Sequence, residues 1–275
     1  MKIRILGTAA SEGIPAMYCD CNLCRKALET GGKNIRTRQQ ALVDDLLIDF
    51  GPDTYAHFLK AGKTLAGTGH ILITHSHGDH LSFDNFYNRG KGFAYNCAYS
   101  KVRVYASRDV CRKIRDTVAE KELAESFELV EVSCYSPFVA GEHIVTAFPA
   151  AHMQTEQSLI YLVELNGKSV LYCLDTGVLT DDTMYDYLKK ESKKLDMVVF
   201  DCTKGDTRQD YYTHMCMEEN EVMKQKFERC SVADSHTLYV CTHFSHNCKM
   251  THEELVCAAK KYGFTVAYDG YEKEL

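Results

Sequence analysis

The sequence contains no long apolar run, no linker and few prolines. No stretch approaches the roughly 20 consecutive apolar residues that a membrane-spanning helix needs. The segment from Met1 to Leu6 reads as a short strand without the apolar core and cleavage site of a signal peptide, so we expect a cytoplasmic protein with no membrane partner. Because no repeat or low-complexity segment interrupts the chain, we expect a single domain over residues 1–275.

Positive charge is also sparse. The net charge is −6, and no dense tract of lysine or arginine occurs. Long polyanions are bound chiefly through neutralised phosphates, so we do not expect an extended nucleic acid as a partner. A small anionic substrate fits better, because bound divalent ions would supply the positive charge. The sequence leaves assembly as a homodimer open.

Cysteine is frequent, but its pattern is not that of a disulfide scaffold. The 13 cysteines are an odd number, and most stand singly inside apolar stretches. Disulfide scaffolds are shorter and their cysteines pair, so reduced thiols are expected here. One exception is a tight cluster of Cys19, Cys21 and Cys24.

The apolar pattern predicts strands alternating with helices. We predict further strands at 40–43, 46–50, 71–73, 101–105, 127–132, 143–148, 159–165, 169–174, 196–201 and 237–242, and helices after Pro52-Asp53 and at 108–120, 179–193, 214–229 and 251–262. Asn166-Gly167 is a strong hairpin signal between two of these strands. The pattern favours a core of packed sheets flanked by helices.

A histidine motif, His75-x-His77-x-Asp79-His80, follows the predicted strand at 71–73. Residues two apart in extended backbone point the same way, so His75 and His77 can bind one ion together. Asp79 and His80 lie beyond the bend and can turn toward a second ion. Imidazole with carboxylate suits zinc, manganese or iron. The alternative is a His-rich surface turn, but four metal-capable side chains in six residues favour a metal site.

This motif resembles the signature of the metallo-β-lactamase superfamily. The resemblance implies an α+β fold, a four-layer αββα sandwich, with a two-metal active site and three further ligands in the order His, Asp, His. It assigns His75, His77 and His152 to one ion, Asp79, His80 and His243 to the other, and Asp175 to both. Taken singly, a strand-end His or an Asp before Thr-Gly is commonly a solvated or turn residue. Asp49 matches the early Asp that orients the metal loop in this family.

The three clustered thiols in the segment 19–24 predict a second kind of site. Three thiolates and one imidazole make a closed tetrahedral zinc site, which is structural because no position stays open. His246 is the candidate fourth ligand. The alternative is three reduced cysteines in a loop.

Three motifs together resemble the phosphoribosyl cyclic phosphate phosphodiesterases of phosphonate breakdown. They are Gly7-Thr8-x-x-Ser11, the cysteine cluster and Thr242-His243-x-x-His246. In those relatives the second His of the late pair completes the structural zinc. They also have an active-site His after a strand-plus-Asp-Cys element, and His214 matches it here. The segment 84–96, rich in Tyr, Phe and Gly, does not align, and we expect it to border the substrate.

The resemblance implies a metal-dependent phosphodiesterase acting on a small phosphodiester, cyclic ones included. Two zinc or manganese ions would make hydroxide available from a bridging water, with Asp79 and Asp175 at the reaction centre, and a structural zinc would be separate. His214 would protonate the departing oxygen. The alternatives are a transfer-RNA 3′ processing nuclease, a thioester or lactone hydrolase, a β-lactamase, and a non-catalytic metal-binding scaffold.

Overall fold

Two seven-stranded sheets form the centre of the molecule. The structure is a computed structural model and describes residues 1–120 and 123–275. The strands are β1 (Lys2–Gly7), β2 (Gln40–Val43), β3 (Leu46–Ile48), β4 (His70–Leu72), β5 (Val102–Ala106), β6 (Phe127–Glu131), β7 (Phe138–Ala140), β8 (His143–Pro149), β9 (Leu159–Leu165), β10 (Lys168–Cys173), β11 (Met197–Asp201), β12 (Leu238–Thr242), β13 (Thr265–Val266) and β14 (Tyr271–Glu274). The first sheet has the order β14-β1-β2-β3-β4-β5-β6, and the second β13-β12-β11-β10-β9-β8-β7.

Helices cover the outer face of each sheet. They are α1 (Asn22–Thr30), α2 (Thr54–Lys60), α3 (Asp84–Tyr87), α4 (Arg108–Glu120), α5 (Thr183–Lys190), α6 (Met217–Arg229) and α7 (His252–Ala259), with 3-10 turns at Gly32–Asn34, Leu65–Gly67, His246–Cys248 and Lys260–Tyr262. In the described part of the chain, no helix combines the length and the apolarity that crossing a bilayer requires.

The buried apolar side chains form three layers. The central one lies between the sheets and includes Ile5 and Tyr161. A second packs α5, α6 and α7 onto β11 and β12, as Phe227 does onto Phe200. The third packs α2, α3 and α4 onto the first sheet. Strands covered on both faces are largely apolar; every residue of β11 is buried, and only its last residue, Asp201, is polar. The predicted four-layer αββα sandwich is therefore confirmed.

Most predicted elements occur with small shifts at their ends, and α4 has the predicted bounds. Two predictions were wrong in part. The loop predicted at 19–24 ends at Cys21, because α1 begins at Asn22 and buries Leu23 and Cys24. The helix predicted from His214 begins at Met217. Helix α1 and the short elements α3, β7, β13 and β14 were not predicted.

Parallel pairing brings several strand ends to one edge of the molecule. β3 and β4 are parallel in the first sheet, and β10, β11 and β12 in the second. β8 is antiparallel to β9, which is antiparallel to β10, so β8 and β10 also run the same way. The carboxyl ends of such strands are where open α/β sheets place their ligand sites. The predicted ligands of the two-metal site all follow these ends, after β4, β8, β10 and β12.

Candidate metal centres

Three histidines meet where the loop after β4 approaches the loop after β8. His77 Nδ1 lies 3.0 Å from His75 Nε2 and 3.1 Å from His152 Nε2. The three ligand atoms all lie within 4.8 Å of one another, and the structure thus brings together the set that the sequence assigned to one ion.

A second set lies beside the first. Asp79 Oδ2 is 3.1 Å from His80 Nε2 and 4.0 Å from His243 Nε2. These three ligand atoms also lie within 4.8 Å of one another. Together with Asp175, the two sets make up the histidine–aspartate centre, which comprises His75, His77, Asp79, His80, His152, Asp175 and His243.

Asp175 stands between the two sets. Its Oδ2 is 3.0 Å from His80 Nε2 and 3.3 Å from His243 Nε2. Its Oδ1 faces the other way and is 3.6 Å from His152 Nε2. Each set therefore has one oxygen of this carboxylate next to it.

The donor atoms of the centre fit metal ions. His80 Nε2, Asp175 Oδ2 and His243 Nε2 are buried and face one another at 3.0 and 3.3 Å, but not with the geometry of hydrogen bonds. Buried polar atoms are nearly always satisfied, so three adjacent ones without partners indicate a missing common partner. Imidazole nitrogens and carboxylate oxygens at this spacing are the ligands that zinc and manganese take.

Four of the histidines are oriented through their Nδ1 atoms. The hydrogen-bond partners are Thr74 Oγ1 for His75 (3.0 Å), Asp49 Oδ2 for His80 (2.7 Å), the Thr213 carbonyl for His152 (3.2 Å) and Thr203 Oγ1 for His243 (2.8 Å). With Nδ1 as the donor, each Nε2 keeps its lone pair for an ion. Asp49 also accepts hydrogen bonds at 2.9 Å from the amide and hydroxyl of Thr74, and so connects β3 to the motif loop.

Three residues at these strand ends have a left-handed backbone conformation. Asp49, Asp175 and His243 have positive φ angles of 69°, 45° and 61°. Residues other than glycine rarely adopt this region, and such strain is commonly found at functional sites. In each case the residue turns the chain just after a strand and directs its side chain into the centre or its support.

Two glycines allow the loops to approach the centre. A Cβ on Gly51 would lie 2.0 Å from the Asp79 carbonyl oxygen, and one on Gly177 would lie 1.7 Å from that of Tyr212. Any side chain would force these segments apart, so glycine is required at both positions. The first contact supports the motif loop, and the second supports the segment that precedes His214.

The pKa shifts in the histidine–aspartate centre are those expected of metal ligands. Burial holds the pKa of His75 well below its ordinary value, so this imidazole is neutral. Burial alone would lower the pKa of His80, but the Asp175 and Asp79 carboxylates raise it well above that value. Burial would raise the pKa of Asp175, but His243 and His80 hold it well below its usual range. The carboxylates of the centre are therefore ionised. A metal ion can bind them in place of the proton that they hold on the neighbouring imidazole.

A cleft of about 330 Å³ opens beside the centre. Its lining includes His214, whose Nδ1 donates a 2.7 Å hydrogen bond to Asp201 Oδ2. Burial opposes protonation of His214, but the Asp201 carboxylate outweighs it and raises the pKa of His214 to about 9. Asp201 Oδ1 in turn accepts hydrogen bonds from the amide and hydroxyl of Thr203.

Asp201 and Glu156 are two residues of the site that were not predicted. Asp201 lies with Asp175, His214 and His243 in a group whose ligand atoms are within 4.8 Å, and its place at the end of a buried strand was the available signal. Glu156 accepts hydrogen bonds from the Ser76 amide and hydroxyl, both at 2.7 Å, and from Lys113 Nζ at 2.6 Å. No local pattern marks such a long-range contact.

The expectation for the segment 84–96 was wrong. None of its residues lines the cleft. Asn85, Arg89, Phe93 and others from this stretch line a different cavity of about 380 Å³, together with residues that follow α2. The segment packs outside the first sheet, where α3 buries Phe86.

The clustered cysteines meet His246 as the sequence predicted. His246 Nδ1 lies 3.6 Å from Cys21 Sγ and 3.7 Å from Cys24 Sγ, and the ligand atoms of Cys19, Cys21, Cys24 and His246 all lie within 4.8 Å. We call these four residues the Cys/His site. Bond lengths of about 2.3 Å in a zinc tetrahedron place its ligands about 3.8 Å apart, so the set fits zinc. The hydrogen bond with His246 lowers the pKa of Cys21 to about 6.

Comparisons with known proteins agree with this fold. The family model described as the beta-lactamase superfamily domain matches residues 45–262. Zn²⁺-bound PqqB from Methylobacterium extorquens is similar over 100% of both chains, with a TM-score of 0.76 and 20% identity. A diphosphatase from the PhnP family is similar over 100% of this chain and 97% of that chain (TM-score 0.74, 22% identity). Human tRNase Z, short form, is similar over 100% and 99% (0.67, 16%).

One curated protein matches part of the sequence. An octanoyltransferase from Porphyromonas gingivalis is 31% identical over 120 residues, which are 42% of this chain and 22% of that protein. The match thus spans about a fifth of the length of this relative.

Proposed function

The chain belongs to the β-lactamase superfamily and is a metal-dependent hydrolase, and we propose its substrate from this premise. We propose that it hydrolyses a small phosphodiester with two divalent ions in the histidine–aspartate centre. One observation carries the proposal. The two oxygens of Asp175 face different ligand sets, with Oδ1 toward His152 and Oδ2 toward His80 and His243. A carboxylate between two such sets is suited to bridge a pair of ions.

The chemistry that bound divalent ions supply is the activation of water and the neutralisation of charge on phosphate oxygens. The chain itself supplies the proton for the leaving oxygen. His214 uses Nδ1 for its hydrogen bond to Asp201, so Nε2 is the atom that can donate to the substrate. The raised pKa of about 9 keeps this imidazole protonated at neutral pH.

The size and charge of the cleft support a small substrate. Its volume of about 330 Å³ suits a small molecule. Among the described residues that line it there is no lysine or arginine, and the whole chain has a net charge of −6. A long nucleic acid would need neutralised phosphates on both sides of the reacting bond. We therefore favour a phosphodiester that carries a single reacting phosphate.

The proposal is tested with the full chain after chelator treatment and reloading with Mn²⁺ or Zn²⁺. We expect the reloaded protein to release p-nitrophenolate from bis(p-nitrophenyl) phosphate and the stripped protein to be inactive. A precursor transfer RNA, a thioester, a lactone and a β-lactam are assayed in parallel. If the metal-loaded protein turned over one of these four substrates but not bis(p-nitrophenyl) phosphate, the activity on that substrate would replace the proposed one.

A further inference from the structure

The cleft beside the histidine–aspartate centre offers few uncharged groups that can donate a hydrogen bond to phosphate. Two of the hydroxyls in its lining already donate to carboxylates, Thr203 Oγ1 to Asp201 Oδ1 at 2.9 Å and Ser245 Oγ to Glu12 Oε1 at 2.5 Å. Ser11 Oγ has a longer contact of 3.4 Å with Glu12 Oε2. Because a hydroxyl has a single proton to donate, Thr203 and Ser245 are not available to a substrate.

Tyr211 also lines the cleft, and its hydroxyl is available. Within the part of the chain that the structure describes, the Tyr211 oxygen makes no hydrogen bond. Burial, together with the Asp201 and Glu12 carboxylates, raises the pKa of Tyr211 to about 12. The phenol therefore keeps its proton at neutral pH and can donate it to an anionic ligand.

Two contacts hold the ring of Tyr211 in place. The ring lies nearly perpendicular to that of His214, at 83° and with 6.0 Å between the centroids. On its face, Lys204 Nζ lies 5.0 Å from the ring centroid. An ammonium group attracts the face of an aromatic ring most strongly where water is excluded, and Lys204 is completely buried. The ring is therefore oriented beside the proposed proton donor before a substrate binds.

Lys204 is itself anchored at the base of the loop that carries Tyr211. Its Nζ lies 2.9 Å from Glu219 Oε2, which also accepts a 2.9 Å hydrogen bond from the Cys216 amide at the start of α6. The Lys204 amide donates to the Met215 carbonyl at 3.2 Å and so closes the loop. A buried ion pair seldom stabilises a fold more than apolar packing would, so its position beside Tyr211 favours a functional role.

We propose that the Tyr211 hydroxyl donates a hydrogen bond to a phosphate oxygen of the substrate, and that the Lys204 ammonium holds the ring where this contact forms. The inference rests on the proposed phosphodiesterase function. Negative charge builds on the phosphate oxygens during that reaction, and a donor that is already in place stabilises it without rearrangement. Tyr211 is then a residue that contacts the substrate, and Lys204 is a positioning residue.

Tyr211→Phe tests the hydroxyl, because it removes one oxygen and keeps the ring contacts with His214 and Lys204. For the full chain loaded with Mn²⁺, we expect kcat/KM on bis(p-nitrophenyl) phosphate to fall about 10–100-fold, the effect of a hydrogen bond to a charged group. The Kd of inorganic phosphate, measured by calorimetric titration, should rise about tenfold for the same reason. Tyr212→Phe is the matched control and should behave as wild type, because Tyr212 is 84% exposed and does not line the cleft.

The positioning role is tested with Lys204→Met combined with Glu219→Gln. The pair of substitutions leaves no unpaired buried charge, and glutamine can still cap α6. Once the ring is no longer held, the hydroxyl should contribute little, so adding Tyr211→Phe to this background should raise the Kd of phosphate by less than about threefold. A role of Lys204 in stability alone would leave the full effect of Tyr211→Phe in place.

The outcomes separate the inference from the function beneath it. Wild-type kcat/KM and phosphate affinity in Tyr211→Phe would make Tyr211 a packing partner of His214 and overturn the inference, as would an equal loss in Tyr212→Phe. In both cases turnover by the wild type leaves the phosphodiesterase function standing. Absence of metal-dependent turnover of any phosphodiester by the wild type would end both. Tyr211→Phe decides the inference even if the variant with Lys204→Met does not fold.

Discussion

The histidine–aspartate centre and the Cys/His site share the segment after β12, which carries His243 and His246, but they are built differently. The first takes its ligands from the ends of four strands beside a cleft, and two of them, Asp175 and His243, have positive φ angles. The second takes three thiols from six residues and one imidazole. Four such ligands would close a tetrahedron around one ion, whereas the seven ligands of the centre lie beside a cleft that a small molecule can enter. We therefore expect the centre to carry the chemistry and the Cys/His site to hold two distant segments together.

Removing a ligand from the histidine–aspartate centre should have the largest effect. We expect Asp175→Ala and His77→Ala to lower kcat/KM on bis(p-nitrophenyl) phosphate by more than ~100-fold, beyond the losses known for residues that only support a ligand. Circular dichroism should match wild type. Asp186→Ala, an exposed aspartate of α5, serves as the control. Activity above about a tenth of wild type in the folded ligand variants would contradict the ligand assignment.

Removing the proton donor should have an effect that depends on the substrate. We expect His214→Ala to slow alkyl phosphodiesters by about 100-fold or more and p-nitrophenyl esters far less, because p-nitrophenolate leaves without a proton. Kinetics on both ester classes measure the difference. Equal slowing would instead assign His214 to binding of phosphate or metal.

The pH profile sharpens the same assignment. Asp201 raises the pKa of His214 to about 9, so the proton is present below that pH and is lost as pH rises through it. Asp201→Asn removes the carboxylate, and the alkaline limb of kcat/KM for alkyl esters should move to lower pH. The limb should be absent in His214→Ala. A limb that stays in place in Asp201→Asn would show that another group causes it.

A variant of Glu156 tests whether the two ligand sets of the centre are supported independently of each other. Glu156 binds Ser76, between His75 and His77, and lies on the segment that also carries His152. We expect Glu156→Gln to weaken one of two Mn²⁺ binding steps by about tenfold, as loss of a supporting hydrogen bond does, and to spare the other. Calorimetric titration resolves the steps, with Glu131→Gln as the control. Equal weakening of both steps would contradict a local role.

Breaking the Cys/His site should affect activity least and stability most. We expect Cys21→Ser to remove about one zinc ion per chain and to lower the melting temperature, because a closed zinc site contributes directly to folding. Turnover at low temperature should fall much less than in Asp175→Ala. An unchanged melting temperature, with the same zinc content as wild type, would contradict the assignment of a structural zinc ion to the Cys/His site.

The sequence predicted the two sites better than it predicted their surroundings. The ligands could be named because a motif and a family order place each one after an apolar strand. The supporting residues could not, since Glu156 binds Ser76 80 positions away and the positive φ of Asp175 leaves no trace in composition. Helix α1 was missed because its N-cap, Cys21, makes no side-chain capping bond. The aromatic segment 84–96 was misplaced because its composition suits an apolar cavity as well as a substrate cleft.

The central claim is that two independent kinds of metal site exist in one chain. Elemental analysis with zinc X-ray absorption on the wild type, Asp175→Ala and Cys21→Ser tests it most directly. We predict three ions in the wild type with zinc–sulfur scattering, fewer ions in Asp175→Ala with that scattering retained, and two ions in Cys21→Ser with the scattering lost. A wild type without zinc–sulfur scattering, or one that binds a single ion in all, would contradict the claim.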